Sequence, residues 1–349
     1  MPKEKSIKNK KRIVRKICIS IVILFFTALA SVFFLFAYPN SAKRSSFLHI
    51  PKGATYQDVQ DSLKANKIIE NNFSFNVAAK LLKYNRQILS GKYIIEPGQS
   101  NYKIIRFLQR GQHYPVKFTF NNIRTKQQFV EKVGNRFLFD PKDLEKLLND
   151  NYFLAKYGLT PDNCFAIFFP DTYELYYDIT AEEFFEKFYG YYTSFWTDER
   201  KNLADNIGIS PLDVSTIASI VEEENHKGGE KKMISGVYIN RIQKGWPLQA
   251  DPTLKFAHND FAITRVLDKH KEIDSPYNTY MYDGIPPGPI RIPEKSTLDS
   301  VLHYTHHSYM YMCAKYDFSG NHSFARTLDE HNYNAYRYRK ALDQAKIYR

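Results

Sequence analysis

The sequence predicts an α+β chain with a single N-terminal membrane helix, a small α+β subdomain and then a larger mixed α+β domain. Three observations carry this. Residues 17–37 hold 21 consecutive uncharged residues. From Phe47, capped amphipathic segments alternate with short β-like runs. Beyond residue 121 the chain is rich in helix starts, aromatic stripes and Pro/Gly loops. A length of 349 residues suits about two folded domains with accessories. The 43% apolar content and the 26 Tyr and 26 Phe exclude generic disorder. Three cysteines exclude a disulfide scaffold and a four-cysteine zinc site.

The net charge of +12 invites a nucleic-acid reading, but its distribution argues against one. Residues 1–16 hold eight Lys/Arg against Glu4, or +7, leaving +5 for the rest. This is a basic tail, not a binding face, and no nucleic-acid partner is expected.

The run ICISIVILFFTALASVFFLFA is long enough to cross roughly 30 Å of hydrocarbon as a helix. The expected layout is a cytoplasmic tail over 1–16, a transmembrane helix over 17–38 and a linker over 39–46. Positive residues stay inside, so the remainder lies on the outer side of the inner or plasma membrane. A cleaved signal peptide is the rival, but its apolar stretch is normally only about 7–15 residues. Cys164 and Cys313 would then face an oxidising space. Two unpaired core residues are the simpler reading, and pairing stays open.

Residues 47–120 read as the small subdomain. Thr55 starts a helix with Val59 and Leu63 on one face. A second helix covers 73–84. Residues 92–96 form a strand stopped by Pro97-Gly98, and Ser100 caps a helix ending at Gly111. Val116, Phe118 and Phe120 alternate as the second strand. Residues 125–205 are helix-rich, with capping boxes at Thr125 and Thr180. Residues 168–173 read as a loop, and the stripe Phe184, Phe188 and Tyr191 reads as core.

Ser210-Pro211-Leu212-Asp213 is a helix start with cap, Pro and acid in place. At 100° per residue, Val214, Ile217, Ile220 and Val221 share a face, and Glu224 falls within it. Glu222 and Glu223 point elsewhere. Burial and the negative end of the helix dipole both disfavour the Glu224 carboxylate. A carboxyl kept protonated near neutral pH is what a general acid needs. The competing reading is a solvated, frayed helix end. The next helix, about 229–244, carries Gly236, Asn240 and Arg241. Leu248–Thr253, Ser275–Tyr280 and Gly284–Ile290 follow as polar, Pro/Gly-rich loops able to line a cleft.

The stretches Ala218-Ser-Ile-Val-Glu-Glu-Glu224, Val237-Tyr-Ile-Asn-Arg241, Leu248-Gln-Ala-Asp-Pro-Thr253, Tyr277-Asn-Thr-Tyr280 and Gly284-Ile-Pro-Pro-Gly-Pro289 together resemble the endolytic murein transglycosylase (MltG, YceG-like) family. The likeness runs over nearly the whole chain. It implies a LysM-like subdomain at 47–120 and a catalytic transglycosylase domain at 121–349. It also implies a membrane-anchored lyase that cuts MurNAc–GlcNAc bonds in nascent peptidoglycan strands, leaves 1,6-anhydro ends and limits strand length. The implied partners are glycan strands, the lipid bilayer and peptidoglycan synthases. Carried onto this chain, the family's acid is Glu224, and Glu222 is the earlier acid of the motif. Glu223 and Asn225 stand where relatives often have Lys and Thr. Gln249, Asp251, Tyr277 and Asn278 match cleft-side positions. Asn240 is carried with them, as substrate-binding or site-shaping.

Two alternatives stand beside this. A hydrolase would use a second carboxylate, for which Asp251 is the candidate; its plainer role is an Asx turn or cap before Pro252. A non-enzymatic glycan-binding scaffold would need no acid at 224. No cofactor or metal is expected. His303 and His307 have i,i+4 spacing, but the Glu of a zinc-protease motif is missing.

Overall fold

The computed structural model describes residues 2–111, 115–225 and 229–347. Of the predicted basic tail, only Arg15 and Lys16 have described side chains. The chain is mixed helix and sheet, 53% helical and 10% strand. In order it runs α1 (Pro2–Phe36), β1 (Ser46–Ile50), α2 (Tyr56–Ala65), α3 (Asn72–Leu81), β2 (Gly91–Ile95), α4 (Asn101–Gln109), β3 (Pro115–Phe120), α5 (Lys126–Val133), α6 (Pro141–Asn149), α7 (Asn151–Ala155), β4 (Asp171–Tyr176), α8 (Ala181–Phe195), α9 (Asp198–Ile207), α10 (Pro211–Glu224), α11 (Lys231–Gln243), α12 (Asp251–Ala257), α13 (Lys295–Leu302), β5 (Tyr311–Ala314), β6 (His322–Ala325) and α14 (Leu328–Gln344). It divides into two compact units.

The first unit takes the chain up to Val116, with 136–138 and 174–179. In α1, the stretch Arg15–Phe36 is long and apolar enough to cross a membrane, and its side chains are largely exposed. The Thr55 capping box starts α2 as expected, and Val59 and Leu63 are buried. The strand pairing differs from the prediction. β2 pairs antiparallel with β1, Leu48 opposite Tyr93, and not with the 116–120 strand. Leu48, Ile50, Tyr93 and Ile95 alternate inward onto Phe75, Ile104 and Leu108. The 39–46 stretch is tied down: Asn40 donates from its amide to Asn101 Oδ1 at 2.6 Å, and Asn101 donates to the Leu35 carbonyl at 2.8 Å. Burial of Asn101 at 0% exposure is met by these bonds. The unit is a two-stranded sheet packed with α2, α3 and α4.

The second unit comprises 117–135, 139–173 and 180–349. The expected loop at 168–173 is shorter than predicted, because Asp171 begins β4. β3 pairs with β4, and Thr119 and Thr172 hydroxyls meet at 2.8 Å. Phe118, Phe120, Phe129, Phe168, Phe184 and Phe188 are fully buried together. Tyr191 packs at their margin, its ring tilted 34° to that of Tyr173 with centroids 5.0 Å apart. Thr180 forms a full capping box; at Thr125 the Gln128 side chain instead accepts from the Arg124 N–H.

The middle of this unit is α10. Ser210 caps it with a reciprocal Asp213 bond, and Pro211 opens the first turn. It packs against α9, α11, α12 and α13. Ser215, Thr216 and Ser219 are as buried as Ile217 and Val221. Ser215 and Thr216 donate back to carbonyls one turn earlier, which satisfies them inside the core. β5 and β6 form an antiparallel pair covered by α14. α13 stops at Leu302, so His303 and His307 do not share a helix. Cys164 and Cys313 are both free.

Candidate active site

Three consecutive acids end α10, and each meets a different environment. Glu222 is 4% exposed. Its Oε2 accepts from the Thr297 hydroxyl at 2.7 Å and the Glu294 N–H at 2.9 Å; its Oε1 faces Arg291 at 3.1 Å. Lys231 lies 3.9 Å away and donates to Thr297 at 2.6 Å. Glu222 therefore anchors the start of α13 and the Arg291 loop, and its oxygens are taken up by protein partners. Glu223 accepts from both Arg124 nitrogens, at 2.8 and 3.0 Å, and from Arg291 at 2.9 Å. Two carboxylates and three cations thus form one network.

Glu224 is different. It is the last residue of α10 and only partly buried. Tyr238 of α11 donates its hydroxyl to Oε1 at 2.9 Å. Burial pushes its pKa up, and the Asp251 charge adds to that. The Tyr238 bond, His322 and Lys255 act against it. The upward shift expected for this acid has desolvation as its largest cause. Tyr238 is itself 1% exposed, and burial beside Glu224 raises its phenol well above the ordinary value. It stays a donor at any ordinary pH.

Asp251 opens α12 and is exposed; Tyr280 donates to its Oδ1 at 2.7 Å. It does not cap the helix, since Ala250 holds the cap position. Gln249, just before, has an exposed side chain and a left-handed backbone, φ 47. Its N–H is held by the Thr279 carbonyl at 2.9 Å, and Ala250 N–H by the Thr279 hydroxyl at 2.9 Å. A non-glycine residue held at positive φ is a strained position of the kind that collects at functional loops.

The other predicted positions shape loops with their polar atoms. Asn240 donates to the His307 and Tyr309 carbonyls at 2.8 and 2.9 Å. His307 in turn accepts at Nδ1 from the Tyr309 N–H and donates from Nε2 to the Met233 carbonyl at 2.9 Å. Asn278, at 0% exposure, donates to the Lys271 and Ile273 carbonyls and accepts from the Tyr280 N–H. Tyr277 is buried against Phe256, rings 4.7 Å apart, and burial pushes its phenol up. The 284–290 loop docks on α10 where Ile290 N–H meets Ser219 Oγ at 3.0 Å.

Several site residues were not predicted: Tyr238, Tyr280, Lys255, His322, Arg124 and Arg291. Tyr238 and Tyr280 sit inside the quoted motifs, which was the available signal. His322, on β6, donates from Nδ1 to Glu230 at 3.0 Å and lies near enough to Glu224 to favour its charged form.

At the end of α10 the arrangement sets one partly buried carboxyl group, Glu224, held by a tyrosine hydroxyl, with the exposed Asp251 carboxylate acting on it electrostatically. The YceG-like family profile matches residues 48–337, and the chain belongs to that family. A Bacillus subtilis protein named endolytic murein transglycosylase is 29% identical over 311 residues, covering 84% of each chain. A Streptococcus pneumoniae protein of the same name is 24% identical over 339 residues; the match covers 84% of this chain and 58% of that longer one. The crystal structure of a YceG-like protein from Listeria monocytogenes aligns at a TM-score of 0.55 and 26% identity, over 84% of this chain and 99% of that one.

Proposed function

We propose that this chain is an endolytic peptidoglycan lytic transglycosylase with Glu224 as its acid and base. The observation that supports this best is the Glu224 carboxyl at the end of α10, whose pKa is raised by desolvation and which accepts from the Tyr238 hydroxyl. Relatives named endolytic murein transglycosylase supply the substrate class. Glu224 protonates the glycosidic oxygen leaving MurNAc C1, and the C1–O bond breaks as an oxocarbenium-like centre forms. The Glu224 carboxylate then takes the proton of the MurNAc 6-hydroxyl, whose oxygen bonds to C1. The product is a 1,6-anhydro end, and no water is consumed. The nucleophile is already tethered, so the step carries little entropic cost. The Tyr238 bond favours the charged form and so stabilises the carboxylate between the two transfers.

The α1 segment is read as an uncleaved anchor with the basic tail in the cytoplasm and both units outside. The 47–120 region holds or spaces the enzyme near the wall, and synthases are its expected neighbours. Incubating polymerised, uncrosslinked glycan with the full chain and with Glu224→Gln tests the enzyme reading. Shortened strands with the parent and intact strands with a folded variant are expected. Equal shortening by both would remove Glu224 from the chemistry. No shortening by either would favour a glycan-binding scaffold.

A further inference from the structure

At the end of α10 lies a cleft of about 280 Å³ lined by Arg124, Glu223, Pro252, Lys255, Phe261 and Ile290, among others, and Lys255 in its wall is near enough to Glu224 to favour that residue's charged form. One wall is the Arg124 guanidinium, packed 5.1 Å from the centre of the Phe261 ring. The charges around it do not balance. Arg124, Arg291 and Lys231 share the carboxylates of Glu222 and Glu223. The Lys255 ammonium adds a further positive charge; it makes no hydrogen bond or ion pair among the described residues and interacts with Glu224 only through space. Asp251, four residues before it, is engaged by the Tyr280 hydroxyl. Lys255 is partly buried, where a charge with no hydrogen-bonded partner is less well solvated than on an open surface. The cleft therefore offers an anion a cationic side chain, with apolar atoms from Pro252, Phe261 and Ile290 to either side.

Resting on the transglycosylase reading, we infer that this cleft takes the stem peptide of the muramyl unit and that Lys255 contacts a peptide carboxylate. The peptide hangs from the lactyl ether of the same sugar whose anomeric bond Glu224 would break. A peptide site beside the acid is where that attachment places it. The alternative anion of a nascent strand, the lipid diphosphate, sits on the terminal sugar and is present once per strand. An endolytic cut falls within the strand, which favours the peptide as the occupant.

Binding separates this inference from the catalytic reading, because it requires no cleavage. The probes are MurNAc-L-Ala-D-Glu and the same compound with its glutamyl carboxyls amidated. Affinity is measured by calorimetry on the full chain in detergent, in a Glu224→Gln background. The acid should bind about tenfold more tightly than the amide, as a charge-assisted contact warrants. Lys255→Gln should erase that difference, and Lys255→Arg should keep most of it. Equal affinity for acid and amide, including no binding of either, overturns the inference, as does an undiminished preference in Lys255→Gln. Strand cleavage by the parent is read separately. Lys255-dependent binding without cleavage would count against the enzyme reading alone, and cleavage without the acid preference would count against this one alone.

Discussion

Tyr238 of α11 donates its hydroxyl to Glu224 Oε1 at the end of α10, 2.9 Å away, and is almost wholly buried while doing so. The bond links α11 to the last residue of α10, and it opposes the desolvation that raises the Glu224 pKa. Two forces of opposite sign thus set one proton affinity.

Removing the tyrosine hydroxyl should separate them. In Tyr238→Phe the remaining burial acts alone, so the Glu224 pKa moves further up and the alkaline limb of the activity profile shifts to higher pH. The carboxylate formed in the reaction also loses a donor. A hydrogen bond to a charged group is worth about 1.5–3 kcal/mol, so kcat should fall by roughly 10- to 100-fold. A kcat–pH series on both proteins checks this.

Asp251→Asn should move the limb the other way. The Asp251 charge raises the Glu224 pKa, and neutralising it lets Glu224 ionise at lower pH. The activity profile then falls earlier on the alkaline side. An unmoved limb would show that the two carboxylates are not coupled.

The same burial has a stability consequence. Glu224 has a folded pKa above its unfolded one, so the folded state holds the proton more tightly. Stability from this group is full at low pH and is lost as pH rises from the unfolded pKa through the folded one. Glu224→Gln cannot ionise and can still accept from Tyr238. It should melt at a higher temperature than the parent at neutral pH, with the gap closing toward pH 4. Thermal unfolding at several pH values measures it.

Glu222→Ala should behave as a structural lesion. It strips Arg291 and Lys231 of a carboxylate in a site where Arg291 is 5% exposed. Breaking a buried network by removing one partner costs about 3–5 kcal/mol, read by chemical unfolding of the full chain. A loss under about 1 kcal/mol would mean that water reaches the site.

Gly288→Ala should also destabilise. A methyl group there would land on the Asp162 carbonyl within the same unit. Relief needs a backbone shift in the loop that delivers Ile290 to Ser219 and Arg291 to Glu223. Overpacking of this kind costs about 1–3 kcal/mol, visible as a lowered melting temperature.

The start of α10 was legible because cap, Pro and acid are local signals, and all three are used. The separation of Glu224 from Glu222 and Glu223 followed from helical spacing. What spacing could not tell is that α10 is enclosed nearly all round, so that Glu222 is buried as deeply as the apolar face. Its partners Arg291, Glu294 and Thr297 lie some seventy positions away in sequence, and no periodicity reports them. No strand was expected over Ser46–Ile50, which is short and starts beside polar residues. Its true partner is decided by the β1–β2 core, which also released β3 to pair with β4. The β5–β6 pair was missed for the same reason: four residues per strand are too few for alternation to stand out. Tyr238 was inside a motif already singled out, yet only the packing of α11 on α10 aims its hydroxyl at Glu224.

The most direct test of the account is mass spectrometry of the strand ends produced from uncrosslinked glycan by the full chain. The account predicts 1,6-anhydro-MurNAc ends made by the parent and absent with a folded Glu224→Gln. Reducing MurNAc ends would contradict it: water would then be the nucleophile, a second carboxylate would be required, and Asp251 would be the residue to replace next.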